Sequence, residues 1–91
     1  MEVTDIRVHL RNEDRLKAFA TVIFDGVFVV HNMKVVESNN GLILCMPSRK
    51  IKDGTYKDIA HPITAEFRGK LEKIVLDAYN KELAAQGAGE K

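Results

Sequence analysis

Cysteine occurs once in this chain, tryptophan not at all, and proline only twice. The single thiol, Cys45, excludes an internal disulfide framework and fits a reducing compartment, so a cytoplasmic protein is expected. No apolar run is long enough to span a bilayer and no basic-then-apolar leader is visible, so membrane insertion is not expected. Charge of one sign is also lacking: 14 Lys and Arg face 13 Asp and Glu, a net charge of +1. A polyanion-binding footprint must therefore come from where cations cluster, not from their sum. There is no Gly-rich phosphate loop, no nucleophile elbow and no catalytic carboxylate pair in a helical frame. His61 and Asp58 lack the nucleophile and oxyanion donor that an acid–base dyad needs. His9 and His31 have no metal-ligand spacing with Cys45. Neither an enzyme, nor a cofactor, nor a metal is expected.

What is present is strand pattern followed by helix pattern. Ninety-one residues make one small domain, expected over 1–83, with a flexible tail over 84–91 that has two glycines and no large apolar residue. Val3 to Leu10 alternates, with Ile6, Val8 and Leu10 on one face and Asp5, Arg7 and His9 on the other. Leu16 to Phe24 alternates again, carrying Leu16, Ala18, Ala20, Val22 and Phe24 on one face. Asp25-Gly26 is a strong hairpin signal, because a primed turn requires positive φ. Val27 to Glu37 is a long β-branched strand in which His31, Asn32 and Lys34 suggest a bulge or change of face. Asn40-Gly41 turns the chain into Leu42 to Met46, an apolar run consistent with a strand buried on both faces. Pro47 ends it.

From Arg49 to Asp58 a charged stretch surrounds a third turn signal, Asp53-Gly54, and reads as a mobile basic hairpin or loop. Thr64 can cap a helix. Phe67, Leu71, Ile74, Val75 and Ala78 then fall at i, i+4, i+7, i+8 and i+11, one stripe of an amphipathic helix. Leu76 and Tyr79 lie off its centre, free to meet a neighbouring element or another subunit. Strands first and one helix last predict an α+β fold: a mainly antiparallel sheet of about five strands with one C-terminal helix.

Several short motifs stand in a recognisable order: Phe28 to Val36, Asn40-Gly41-Leu42, Met46-Pro47-Ser48-Arg49-Lys50, Asp53-Gly54, and Asp58-Ile59-Ala60-His61-Pro62-Ile63. In that order and spacing the chain resembles the stage V sporulation protein G family, also called the septation-protein family, over nearly its whole length. The resemblance implies a bacterial cytoplasmic regulator of gene expression that forms a homodimer and binds DNA and RNA. It also implies a link to sporulation and asymmetric septation, and no enzymatic activity. Many members carry a small or polar residue where this chain has Phe67.

Arg49, Lys50, Lys52 and Lys57, four cations within nine positions beside Tyr56, can follow a phosphate backbone while Tyr56 stacks on an unpaired base. On the residues alone, a solvated hairpin whose charges guard an edge is the commoner explanation. The resemblance turns the preference to binding, with Arg49, Lys50 and Lys52 foremost. On the helix, Arg68 matches an arginine of the family pattern and Lys70 accompanies it. There Glu66, Glu72 and Asp77 interleave as on a salt-bridged solvent face. The competing expectation is a protein-interaction module. It would act on cell-division proteins through an exposed strand edge or the Leu76/Tyr79 flank.

Overall fold

Each stretch of period-two alternation forms a strand. In a computed structural model describing residues 1–11 and 13–89, β1 (Val3–Leu10), β2 (Leu16–Phe24), β3 (Phe28–Ser38) and β4 (Gly41–Cys45) make an antiparallel sheet. Its order is β1-β2-β3-β4. Two short strands, β5 (Ser48–Lys50) and β6 (Tyr56–Asp58), form a separate ribbon, and α1 (Ala65–Gly89) follows. The fold is α+β, with four strands in the main sheet and two in the ribbon. The helix continues into the stretch expected to be a flexible tail, of which Glu90 and Lys91 lie outside the described residues.

The turns follow from local chemistry. Asp25 and Gly26 both have positive φ (53° and 67°), as a I′-type turn requires, and Val27 N–H donates to the Phe24 carbonyl at 3.0 Å. The Asp25 carboxylate accepts from Glu2 N–H at 3.0 Å and Thr4 Oγ1 accepts from Gly26 N–H at 2.9 Å, fastening the turn to the start of β1. The bulge expected near His31 is present. Thr21 of β2 faces both His31 and Asn32 of β3, since the register passes from Ala20↔Met33 to Val22↔Val30. Asn32 takes φ 65°, a region asparagine visits more readily than most residues.

One sheet face meets the helix. Ala18, Ala20, Val22 and Phe24 of β2 join Met33, Val35, Leu44 and Met46 in a core completed by Leu71, Val75 and Tyr79 of α1. Burying a side chain such as Leu71 or Val75 is worth about 1.5–3 kcal/mol, so this stripe holds α1 to the sheet. Phe67 joins it through Phe24, with ring centroids 6.1 Å apart and planes tilted by 45°. Thr64 caps the helix as its sequence suggests, Oγ1 accepting from Phe67 N–H at 3.2 Å.

Two expectations need correction. Of the two contacts expected for Leu76 and Tyr79, the neighbouring element is the one made: Tyr79 is only 6% exposed and belongs to the chain's own core, so the flank is not a free surface for another protein. The stripe runs Phe67, Leu71, Val75, Tyr79, one residue every four, with Leu76 partly buried against the core. Nor is β4 buried on both faces: Ile43 is 39% exposed, because α1 covers one side of the sheet and β4 is its outer strand. The edge of β4 is nevertheless occupied, since the Glu72 carboxylate accepts from Leu44 N–H at 3.0 Å.

Candidate nucleic-acid interface

The ribbon begins where the core ends. Met46 and Pro47 are buried and anchor its base, and Ile59 N–H donates to the Pro47 carbonyl at 2.7 Å. Every residue of β5 and β6 is exposed. Their register sets Ser48 opposite Asp58, Arg49 opposite Lys57, and Lys50 opposite Tyr56. The stretch expected as a mobile hairpin or loop is thus a short antiparallel ladder with a defined tip.

That tip is closed by residues the sequence singled out. Ile51 N–H donates to the Thr55 carbonyl at 2.8 Å and Gly54 N–H to the Ile51 carbonyl at 3.0 Å. Gly54 has φ 91°, which a β-carbon would strain. The Asp53 carboxylate accepts from the Thr55 hydroxyl at 2.7 Å and from its N–H at 3.0 Å. These bonds hold the Asp53 carboxyl below its ordinary pKa, the hydroxyl contributing most. Asp53 is therefore spent on the turn, and no ion pair joins it to a lysine or arginine among the described residues.

Arg49, Lys50, Lys52 and Lys57 have no ion-pair partner among the described residues, whose three salt bridges are Arg7–Asp5, Lys17–Glu37 and Lys73–Asp77. Tyr56 is 69% exposed. The fold thus brings Arg49, Lys50 and Tyr56 together on one ladder, with Lys52 at its turn. The sequence put Arg49, Lys50 and Lys52 foremost and Lys57 behind them; the register raises Lys57 to the same rank by placing it beside Arg49. The signal was available, because a turn centred on Asp53-Gly54 folds the two flanking segments against each other.

Arg68 and Lys70 are also exposed and unpaired among the described residues, but on α1, beyond the connection 59–64. Two positions apart on a helix, they point about 160° apart, so they flank the buried stripe and make no joint patch. The salt-bridged helix face is only partly present. Lys73 and Asp77 approach to 3.9 Å, while Glu72 turns inward to β4.

Sequence reasoning missed an apolar groove of about 300 Å³ between the start of β3 and the connection before α1, lined by Phe24, Phe28, Met33, Met46, Ile63 and Phe67 among others. Phe28 and Ile63 on its rim are 57% and 91% exposed. The missed signal is Ile63 itself, an apolar residue outside the helical stripe. No cluster of three metal-ligating side chains occurs among the described residues, and none of the described helices is long and apolar enough to cross a membrane.

Fold and site together define a small α+β domain that presents a cationic two-stranded ribbon from the edge of a helix-backed sheet. Comparison with known proteins gives the class a family. The SpoVG family model matches residues 1–81, and the chain belongs to that family. Similar proteins include one from Anaeromyxobacter sp. (strain K), 46% identical over 88 residues, covering 97% of this chain and 87% of the relative. Another, from Caldanaerobacter subterraneus subsp. tengcongensis, is 52% identical over 82 residues, covering 89% of this chain and 90% of the relative. A third, from Treponema denticola, is 52% identical over 82 residues, with 89% and 88% covered. Each bears the name "Putative septation protein SpoVG".

Proposed function

We propose that this protein is a cytoplasmic regulator of gene expression that binds DNA and RNA through its ribbon, by association and not by catalysis. The observation that carries this reading is the ribbon itself: Arg49, Lys50 and Lys57 project from a hydrogen-bonded ladder and Lys52 from its turn, with no acid paired to them among the described residues. Unpaired cations on a fixed scaffold neutralise phosphates and release the counterions condensed on them, which drives binding even when net charge is near zero. The relatives' name links them to septation, and regulation by nucleic-acid binding is the route by which this chain reaches septum formation and sporulation. The chain acts as a homodimer. Phe28 and Ile63 stand out from the rim of a groove that they also line, so two copies related by a two-fold axis can each place an apolar side chain in the other's groove. Pairing also doubles the ribbon and raises avidity.

The test is fluorescence anisotropy with labelled DNA and RNA at rising salt. Log K is expected to fall linearly with log salt. Arg49→Glu combined with Lys50→Glu is expected to abolish binding while leaving the oligomeric state intact; unchanged affinity in that double variant would remove the ribbon as the site. A division protein retained by the chain after nuclease treatment would instead favour the interaction-module reading.

A further inference from the structure

The cross-strand register gives the two faces of the ribbon different chemistry. Side chains alternate faces along a strand, and directly opposed residues share one. Arg49 and Lys57 therefore lie together on one face, while Ser48, Lys50, Tyr56 and Asp58 lie on the other. Like charges directly opposite repel. No acid of the ribbon shares the Arg49/Lys57 face, because Asp58 is on the far side and Asp53 is held by Thr55. The arrangement is relieved when an oxyanion sits between the two cations and accepts from both. The other face offers Tyr56, an aromatic ring in water, with a lysine directly across from it.

Granted the nucleic-acid function proposed for the ribbon, on which this step rests, we infer that it holds a single polynucleotide strand astride. A phosphate lies between Arg49 and Lys57, and an unpaired base stacks on Tyr56 beside Lys50. β5 and β6 pair only with each other, so the outer edges of the ribbon carry no further strand among the described residues. A ligand touching both faces must turn across a body whose strands are only about 5 Å apart. A single strand can bend at each nucleotide. A duplex, stiff over about 150 base pairs, cannot make that turn, and its bases are already stacked. Single-stranded DNA or RNA is thus the ligand class, and Lys57 is a binding residue on a par with Arg49.

The experiment compares a labelled 20-nucleotide thymidine strand with a 20-base-pair duplex, using the wild-type chain, Tyr56→Leu and Lys57→Glu. The wild type is expected to prefer the single strand. Tyr56→Leu is expected to weaken single-strand binding by between about 5- and 150-fold and to leave duplex binding unchanged. Lys57→Glu sets opposite charges across the ladder, so the free ribbon is expected to exchange its amide protons more slowly while binding of both probes falls. Equal losses on both probes with Tyr56→Leu, or unchanged binding with Lys57→Glu, overturn this inference and leave the nucleic-acid function standing. If the wild type binds neither probe, the function itself fails and takes this inference with it.

Discussion

Replacing Glu72 by alanine tests how the helix and the sheet edge hold each other. The Glu72 carboxylate reaches from α1 to accept the Leu44 N–H at 3.0 Å, and Leu44 is itself buried. β4 is an outer strand, so that N–H has no neighbouring strand among the described residues to take it. A hydrogen bond to a charged group contributes about 1.5–3 kcal/mol net, and stranding a buried donor costs about 1–3 kcal/mol. Water reaching the open edge recovers part of this, so Glu72→Ala should cost about 1.5 kcal/mol. For a domain of this size, that lowers the melting temperature by about 6–12 °C. Glu72→Gln keeps a carbonyl oxygen in place and should cost less than half as much. Urea and thermal unfolding followed by circular dichroism measure both. A change below about 0.5 kcal/mol in Glu72→Ala, the range of ordinary surface substitutions, would refute the edge-capping role.

Acidification should loosen the tip of the ribbon. The folded-state pKa of Asp53 lies below its ordinary 3.8, so its contribution is complete above that value and is lost as pH falls through the depressed one. The Thr55 amide resonance is expected to titrate below pH 3.8 in the wild type and to lose that titration in Asp53→Asn; an unshifted midpoint would contradict the hydrogen-bond assignment. At the groove, the proposed two-fold contact predicts that Phe28→Ser with Ile63→Ser converts a dimer to a monomer in analytical ultracentrifugation without loss of fold, because both side chains are exposed in the single chain. Dimeric sedimentation of that double variant would move the subunit contact elsewhere.

Much of the fold was legible because it is local. Alternation in β1 and β2, the Asp25-Gly26 turn, the His31/Asn32 bulge and the Thr64 cap each depend on residues a few positions apart, and each formed where the pattern pointed. The errors arose where burial depends on what lies across the molecule. Ile43 and Leu44 are neighbours in one apolar run, yet only Leu44 faces α1. Tyr79 looked peripheral on an ideal wheel centred on Leu71 and Val75, but the helix buries the row that runs every four residues.

For the candidate site, sequence alone determined the cast: a cation-rich segment, a glycine able to take φ 91° at its tip, and prolines at either end. It also determined the family, because motif order and spacing survive without any knowledge of packing. Only the tertiary structure decided which cations stand together. Pairing register is set by the turn and by where the core anchors the ribbon's base, and a slip of one residue would exchange every side chain between faces. That register puts Lys57 beside Arg49 and Lys50 beside Tyr56, and it leaves Arg68 and Lys70 on a separate element, pointing apart.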